Sequence, residues 1–103
     1  MLGRPKTAEA YVELVDQALF EIEDLRAAAE YDMDSLGAAT EFLEELERDV
    51  RALRASMADG SYLFGKEDLR FVKVVAKQDE RILPFKRLLL KINETHRNGL
   101  DID

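Results

Sequence analysis

Along residues 7–31 the apolar positions Tyr11, Val15, Ala18, Ile22, Leu25 and Ala29 recur at alternating steps of four and three, with Val12 and Leu19 widening the band. Polar and charged residues fill the gaps. Such spacing keeps one face of a 3.6-residue helix apolar and the rest wet, and predicts an amphipathic helix packed in a left-handed bundle or coiled coil. Thr7 stands where its side chain can accept a hydrogen bond from an amide of the first turn, and Glu9 and Glu13 set negative charge at the positive end of the helix dipole.

A second stripe, Leu36, Ala39, Leu43, Leu46, Val50, Leu53 and Met57, follows a polar linker from Asp32 to Ser35, in which Asp34 or Ser35 can cap the new helix. Asp59-Gly60 ends it, since glycine takes the left-handed conformation that closes many helices. Two helices of similar length, over about 7–31 and 35–58, joined by so short a linker predict an antiparallel hairpin.

Beyond the loop Ser61–Gly65 the pattern resumes. With Gly65 as helix cap, Phe64 and Leu69 fall at the two positions of a hydrophobic staple, and Glu67 and Asp68 occupy the first turn. The third stripe, Phe71, Val75, Gln78, Ile82, Phe85, Leu89 and Ile92, keeps step through Pro84. It predicts one helix over about 66–97, bent at Pro84 and stopped by Asn98-Gly99. The rival is a turn at 81–83 with Pro84 opening a fourth helix, where a missing N–H does no harm.

Lengths carry a consequence. Helices of about 24 residues span roughly 35 Å, and one of about 32 spans nearly 48 Å, so the third helix overhangs the other two. Its far end bears Phe85, Leu88, Leu89, Leu90 and Ile92, too much apolar surface to leave in water. Either the bend folds this end back or a second chain covers it. The expected architecture is therefore an all-α helical bundle, a single domain over residues 1–103, completed by dimerisation.

Composition narrows the classes. The 103 residues are 47% apolar and 36% charged, a balance for a charge-rich folded helical protein. Cysteine is absent, which removes disulfides, thiolate metal sites and a cysteine nucleophile. Net charge is −7, divided as −9 over residues 1–60 and +2 over 61–103. An acidic chain of this kind is a poor general binder of nucleic acid or anionic membranes. The first ten residues lack the apolar run of a secretory signal, and Leu88-Leu89-Leu90 is far too short to cross a bilayer, so the expectation is a soluble, cytoplasmic protein.

Candidate chemistry is sparse. Lys66, Arg70, Lys73, Lys77, Arg81, Arg87 and Lys91 gather on one side of the expected third helix. Such a candidate basic ridge could meet phosphates. Glu67, Glu80 and Glu94 interrupt it and no stacking aromatic accompanies it, so a solvated face partly paired with the acidic hairpin is the plainer reading. Glu41, Glu44, Glu45, Glu47 and Asp49 form an acidic patch, but a carboxylate-bridged metal site needs Glu-x-x-His pairs, and the only histidine, His96, has Asn93 three residues before it. Asp32 to Gly37 begins like a calcium loop, yet Leu36 and Leu43 stand where ligands are required.

His96 sits among residues typical of a fraying helix end, where its charge suits the dipole, and an enzyme built on it and the glutamates is a remote third reading. No catalytic residue, cofactor or metal is expected. The leading expectation is a non-enzymatic protein–protein interaction module, an adaptor, assembly factor or regulator whose partner is first of all a second copy of itself. Its expected contacts are Phe85, Leu88, Leu89 and Ile92, followed by Tyr62 and Phe64. The alternative is a nucleic-acid-associated regulator using the basic ridge.

Overall fold

A computed structural model of the chain describes residues 4–31 and 40–101. Helices α1 (Ala8–Tyr31), α2 (Thr40–Ala58), α3 (Val72–Ala76) and α4 (Lys86–Asn98) follow one another, with no strand among the described residues. The expected linker caps and the calcium-loop-like stretch at 32–37 lie outside the described residues.

The described positions of the first two stripes become core as their spacing requires; Leu36, Ala39 and the side chain of Ala29 lie outside what is described. Tyr11, Val15, Ala18 and Ile22 of α1 and Leu43, Leu46, Val50 and Leu53 of α2 are all buried, with Leu25 and Met57 packed against them. Thr7 caps α1, its Oγ1 accepting from the Ala10 amide at 3.0 Å. Ion pairs lace the two helices together: Asp16 with Arg54, Glu23 with Arg51, and Arg26 with both Glu47 and Glu44. The partners thus descend α2 as they ascend α1. After α2 the chain turns at Gly60, whose φ of 79° is the left-handed value expected there.

The third stripe behaves differently. Residues 66–71 are irregular, α3 lasts five residues, and a turn separates it from α4. The single helix over 66–97 is not formed: the chain turns before Pro84, as the rival reading expected, but Pro84 does not open the following helix. Asp79 organises it: its carbonyl accepts from the amides of Ile82 and Leu83, and its carboxylate accepts from the Arg81 amide at 2.9 Å. Lys86 then reaches back from α4 to donate to the carbonyls of Ala76 and Gln78 at 3.2 and 2.9 Å, which satisfies the open end of α3. Pro84 precedes the helix cap Phe85, outside any helix, so its missing N–H breaks nothing.

The break resets the phase. Ile82, the stripe position, is 40% exposed, and its neighbour Leu83 is fully buried instead. The turn also resolves the overhang. Phe85, Leu88, Leu89 and Ile92 lie in the core of this one chain, where α4 packs on α1 and α3. The exposed apolar overhang from which their role as partner contacts was expected is thus not present. The staple is not formed either: Gly65 precedes irregular chain, and Phe64 stacks on Tyr11 with centroids 5.7 Å apart.

Candidate functional site

Three helix ends meet at one pole of the molecule: the start of α1, the end of α2 and the end of α4. The loop 61–65 and the chain ends join them, the latter through the Asp101 amide donating to the Pro5 carbonyl at 2.8 Å and Arg4 facing Asp101 at 3.7 Å. Four rings assemble there. Tyr62 meets Tyr11 edge-on at 5.8 Å, Phe64 at 5.3 Å and His96 at 5.6 Å between centroids.

Hydrogen bonds run through the cluster. The Tyr11 hydroxyl donates to the Ile92 carbonyl at 3.1 Å and lies 2.9 Å from the Tyr62 hydroxyl, which lies 2.6 Å from His96 Nδ1. A carbonyl only accepts and each hydroxyl has one proton, so one arrangement alone fills all three contacts. Tyr11 donates to Ile92, Tyr62 donates to Tyr11, and the Nδ1–H of His96 donates to Tyr62. Nε2 then faces Gly65, whose missing side chain leaves it room: a Cβ there would stand 3.1 Å from it. The Gly65 amide donates to the His96 carbonyl at 3.2 Å and fastens the loop to α4.

Burial sets the titration of these groups. Desolvation by burial holds the Tyr11 phenol well above its usual value. Tyr62 is also raised by burial. His96 is lowered by burial, which favours the neutral ring. It is therefore a fixed, half-buried member of the cluster, where the sequence suggested a fraying helix end.

Beside the rings lies an apolar cleft of about 250 Å³ between the start of α1 and the end of α2. Ala8, Val12, Met57 and Gly60 form its walls, and Tyr11, Tyr62 and Phe64 close it. The loop that brings Tyr62 and Phe64 to the cleft is apolar for a water-facing segment, with Leu63 80% and Phe64 46% exposed. A second cleft of about 230 Å³ lies between α2 and the irregular segment, lined by Asp49, Leu53, Leu69, Arg70 and Phe71 among others.

Of the expected contacts, the structure keeps only Tyr62 and Phe64 near a surface and brings them together. The basic ridge is divided with its helix. Arg81, Arg87 and Lys91 pair with their own neighbours Asp79, Glu80 and Glu94, in place of the acidic helices, while Lys66, Arg70, Lys73 and Lys77 stay exposed and without an ion pair among the described residues. In the acidic patch, Glu47 is held below its usual value, chiefly by its hydrogen bond from Arg26, with Arg51 adding to the effect. His96 and that patch sit near opposite ends of α2, since Glu44 and Met57 are about 20 Å apart along the helix axis. Among the described residues no three His, Asp or Glu side chains converge as metal ligands, and no helix is long and apolar enough to cross a membrane.

Two polar residues, Asn93 and His96, hold this end together. Asn93 Oδ1 accepts from the Leu69 amide at 2.7 Å and Nδ2 donates to Asp68 at 2.9 Å, tying the irregular segment to α4. His96 does the same for the loop 61–65. Both stand beside Ile92 and Leu89 at helical spacing, and a polar side chain on the edge of an apolar stripe was the available signal. Comparison of the chain with protein-family models, with curated proteins and with solved structures finds no match.

Proposed function

We propose that the protein is a non-enzymatic helical interaction module that docks another protein through the cleft at the α1–α2 pole and the loop residues Leu63 and Phe64. The observation that carries this reading is the exposure of those two large side chains, at 80% and 46%, beside an apolar cleft of about 250 Å³. Water-exposed leucine and phenylalanine on a loop fixed at both ends lose little entropy on docking, and such pre-organised anchors dominate interface energetics. The helices serve to hold the anchors in place.

The alternative, a nucleic-acid-associated regulator, draws on Lys66, Arg70, Lys73 and Lys77, which have no acidic partner among the described residues. One experiment separates the two. A photo-reactive phenylalanine analogue is placed in cells at position 63 and, separately, at position 73. The docking reading expects a discrete protein adduct from position 63 that disappears with Phe64→Ala and survives Ile82→Ala. An adduct with a second copy of the chain would make the partner the protein itself, the homodimer. Nucleic acid captured from position 73, with nothing specific from position 63, would favour the alternative and overturn the docking reading.

A further inference from the structure

The cleft also carries information about what it takes. Its two long walls are helical, with Ala8 and Val12 one turn apart on α1 and Met57 near the end of α2. A groove between two helices is a seat for a third, which presents apolar side chains every three or four residues. Charge around the groove then selects among helices.

On its α1 side Glu9 and Glu13 follow Ala8 and Val12 in sequence, exposed and without an ion pair among the described residues. On its α2 side Asp59, exposed beside Gly60, accepts from the Ser61 amide, and hydrogen bonding from Ser61, first from its side chain and then from its amide, holds its carboxyl below the usual value. The last turn of α2 contains no basic residue, so the negative end of its dipole is uncompensated there. The start of α1 contributes the opposite half-charge, which the two glutamates outweigh. The nearest cation in sequence, Lys6, precedes the helix, and Lys66 follows Gly65, whose amide is tied to α4. The next carboxylate along α1, Asp16, is already neutralised by Arg54. Three exposed carboxylates without an ion pair among the described residues, Glu9, Glu13 and Asp59, therefore stand next in sequence to residues that line the apolar cleft.

We infer that the occupant is a basic amphipathic helix of another protein, its apolar side chains seated in the cleft against Phe64 and Leu63 and its lysines or arginines facing Glu9, Glu13 and Asp59. This inference rests on the docking reading above and adds the chemistry of the partner. An acidic or neutral helix would seat the same apolar side chains but set its own charges against, or leave unused, these three carboxylates. Long-range steering works in the same direction, since residues 1–60 carry a net charge of −9.

The test uses the full chain and two fluorescent model peptides of about 14 residues, a length at which helices become stable enough to form. One is built of leucine and lysine, the other of leucine and glutamate in the same pattern. Anisotropy titrations are run with the parent protein and with four variants: Phe64→Ala, Leu63→Ala, the double change Glu9→Gln with Glu13→Gln, and Glu41→Gln with Glu45→Gln on the far end of α2. Leu63 makes no packing contribution to the core, so it reports on docking even if Phe64→Ala loosens the loop. The expected result is binding of the lysine peptide alone. Phe64→Ala or Leu63→Ala should weaken it by about tenfold. The glutamine pair at 9 and 13 should weaken it by about twofold to fivefold per charge and flatten its salt dependence, and the pair at 41 and 45 should leave it unchanged. Lysine-peptide binding that ignores positions 63 and 64, or that falls equally with either glutamine pair, would reduce it to general charge attraction and overturn the inference. Preferential binding of the glutamate peptide with dependence on Phe64 would overturn the partner's chemistry while leaving the docking reading intact. No binding of either peptide that depends on positions 63 and 64 would overturn the docking reading as well.

Discussion

A single amide illustrates how the irregular segment is held. The Leu69 N–H has no helical carbonyl to meet, and Asn93 supplies the acceptor at 2.7 Å from within α4. Asn93 is 8% exposed, so water cannot easily replace it. Truncation to alanine leaves a partly buried donor unsatisfied and also removes the donor to Asp68, and such losses cost about 1–3 kcal/mol. Asn93→Ala should therefore lower the urea midpoint by an amount corresponding to about 2 kcal/mol with an unchanged slope, because the same surface is exposed on unfolding. A midpoint within the error of the parent protein would mean the segment is held by other contacts. Sequence alone shows an asparagine near the end of an apolar stripe. It does not show which amide, 24 residues away, depends on it, because the irregular chain that presents Leu69 has no periodicity of its own.

At the scale of the element, the instructive case is the turn that divides the third stripe. The spacing of α1 and α2 is legible because their stripes are uninterrupted and each periodic position finds the core, from Tyr11 to Ile22 and from Leu43 to Leu53. Between Val75 and Phe85 the same spacing persists by coincidence while the backbone turns. What decides the turn is Asp79, which accepts three backbone amides, and the reach of Lys86 to the carbonyls of Ala76 and Gln78, contacts across several residues that a hydrophobic pattern does not encode. The aromatic site was half legible: Tyr62 and Phe64 stood out in a loop, but their meeting with Tyr11 and His96 depends on α4 folding back. The turn makes a sharp distinction between neighbours. Leu83→Ala, at a fully buried position, should cost about 2–5 kcal/mol, whereas Ile82→Ala, 40% exposed, should cost less than about 1 kcal/mol. An uninterrupted helix would reverse that order, so thermal or urea unfolding of the two variants decides between the geometries.

For the whole molecule, the displaced titrations define a pH range of stability with a different cause at each edge. Burial lowers His96, so the unfolded chain takes up its proton more readily than the folded one. Its contribution is complete above the usual histidine value of about 6.5 and declines as pH falls through the lower folded value. Protonation leaves the Nδ1–H bond to Tyr62 in place, so the cost is that of charging a half-buried ring none of whose hydrogen-bond partners is a carboxylate. Further into acid, Glu47, lowered chiefly by Arg26, and Asp59, lowered by Ser61, add a second loss that begins below about 4.5. At the basic edge the sign reverses. Tyr11 and Tyr62 are raised by burial, so the unfolded chain loses their protons first and stability falls once pH exceeds about 10. The melting temperature should therefore be flat between about pH 6.5 and 10 and fall on both sides. His96→Ala should lower the whole curve, because the donor to Tyr62 is lost, and should also erase the step that begins near pH 6.5 while leaving the other two. Persistence of that step in the variant would assign it to another group and remove His96 from the account of the acid edge. Its disappearance would tie acid sensitivity to the same ring that fastens the docking loop to α4.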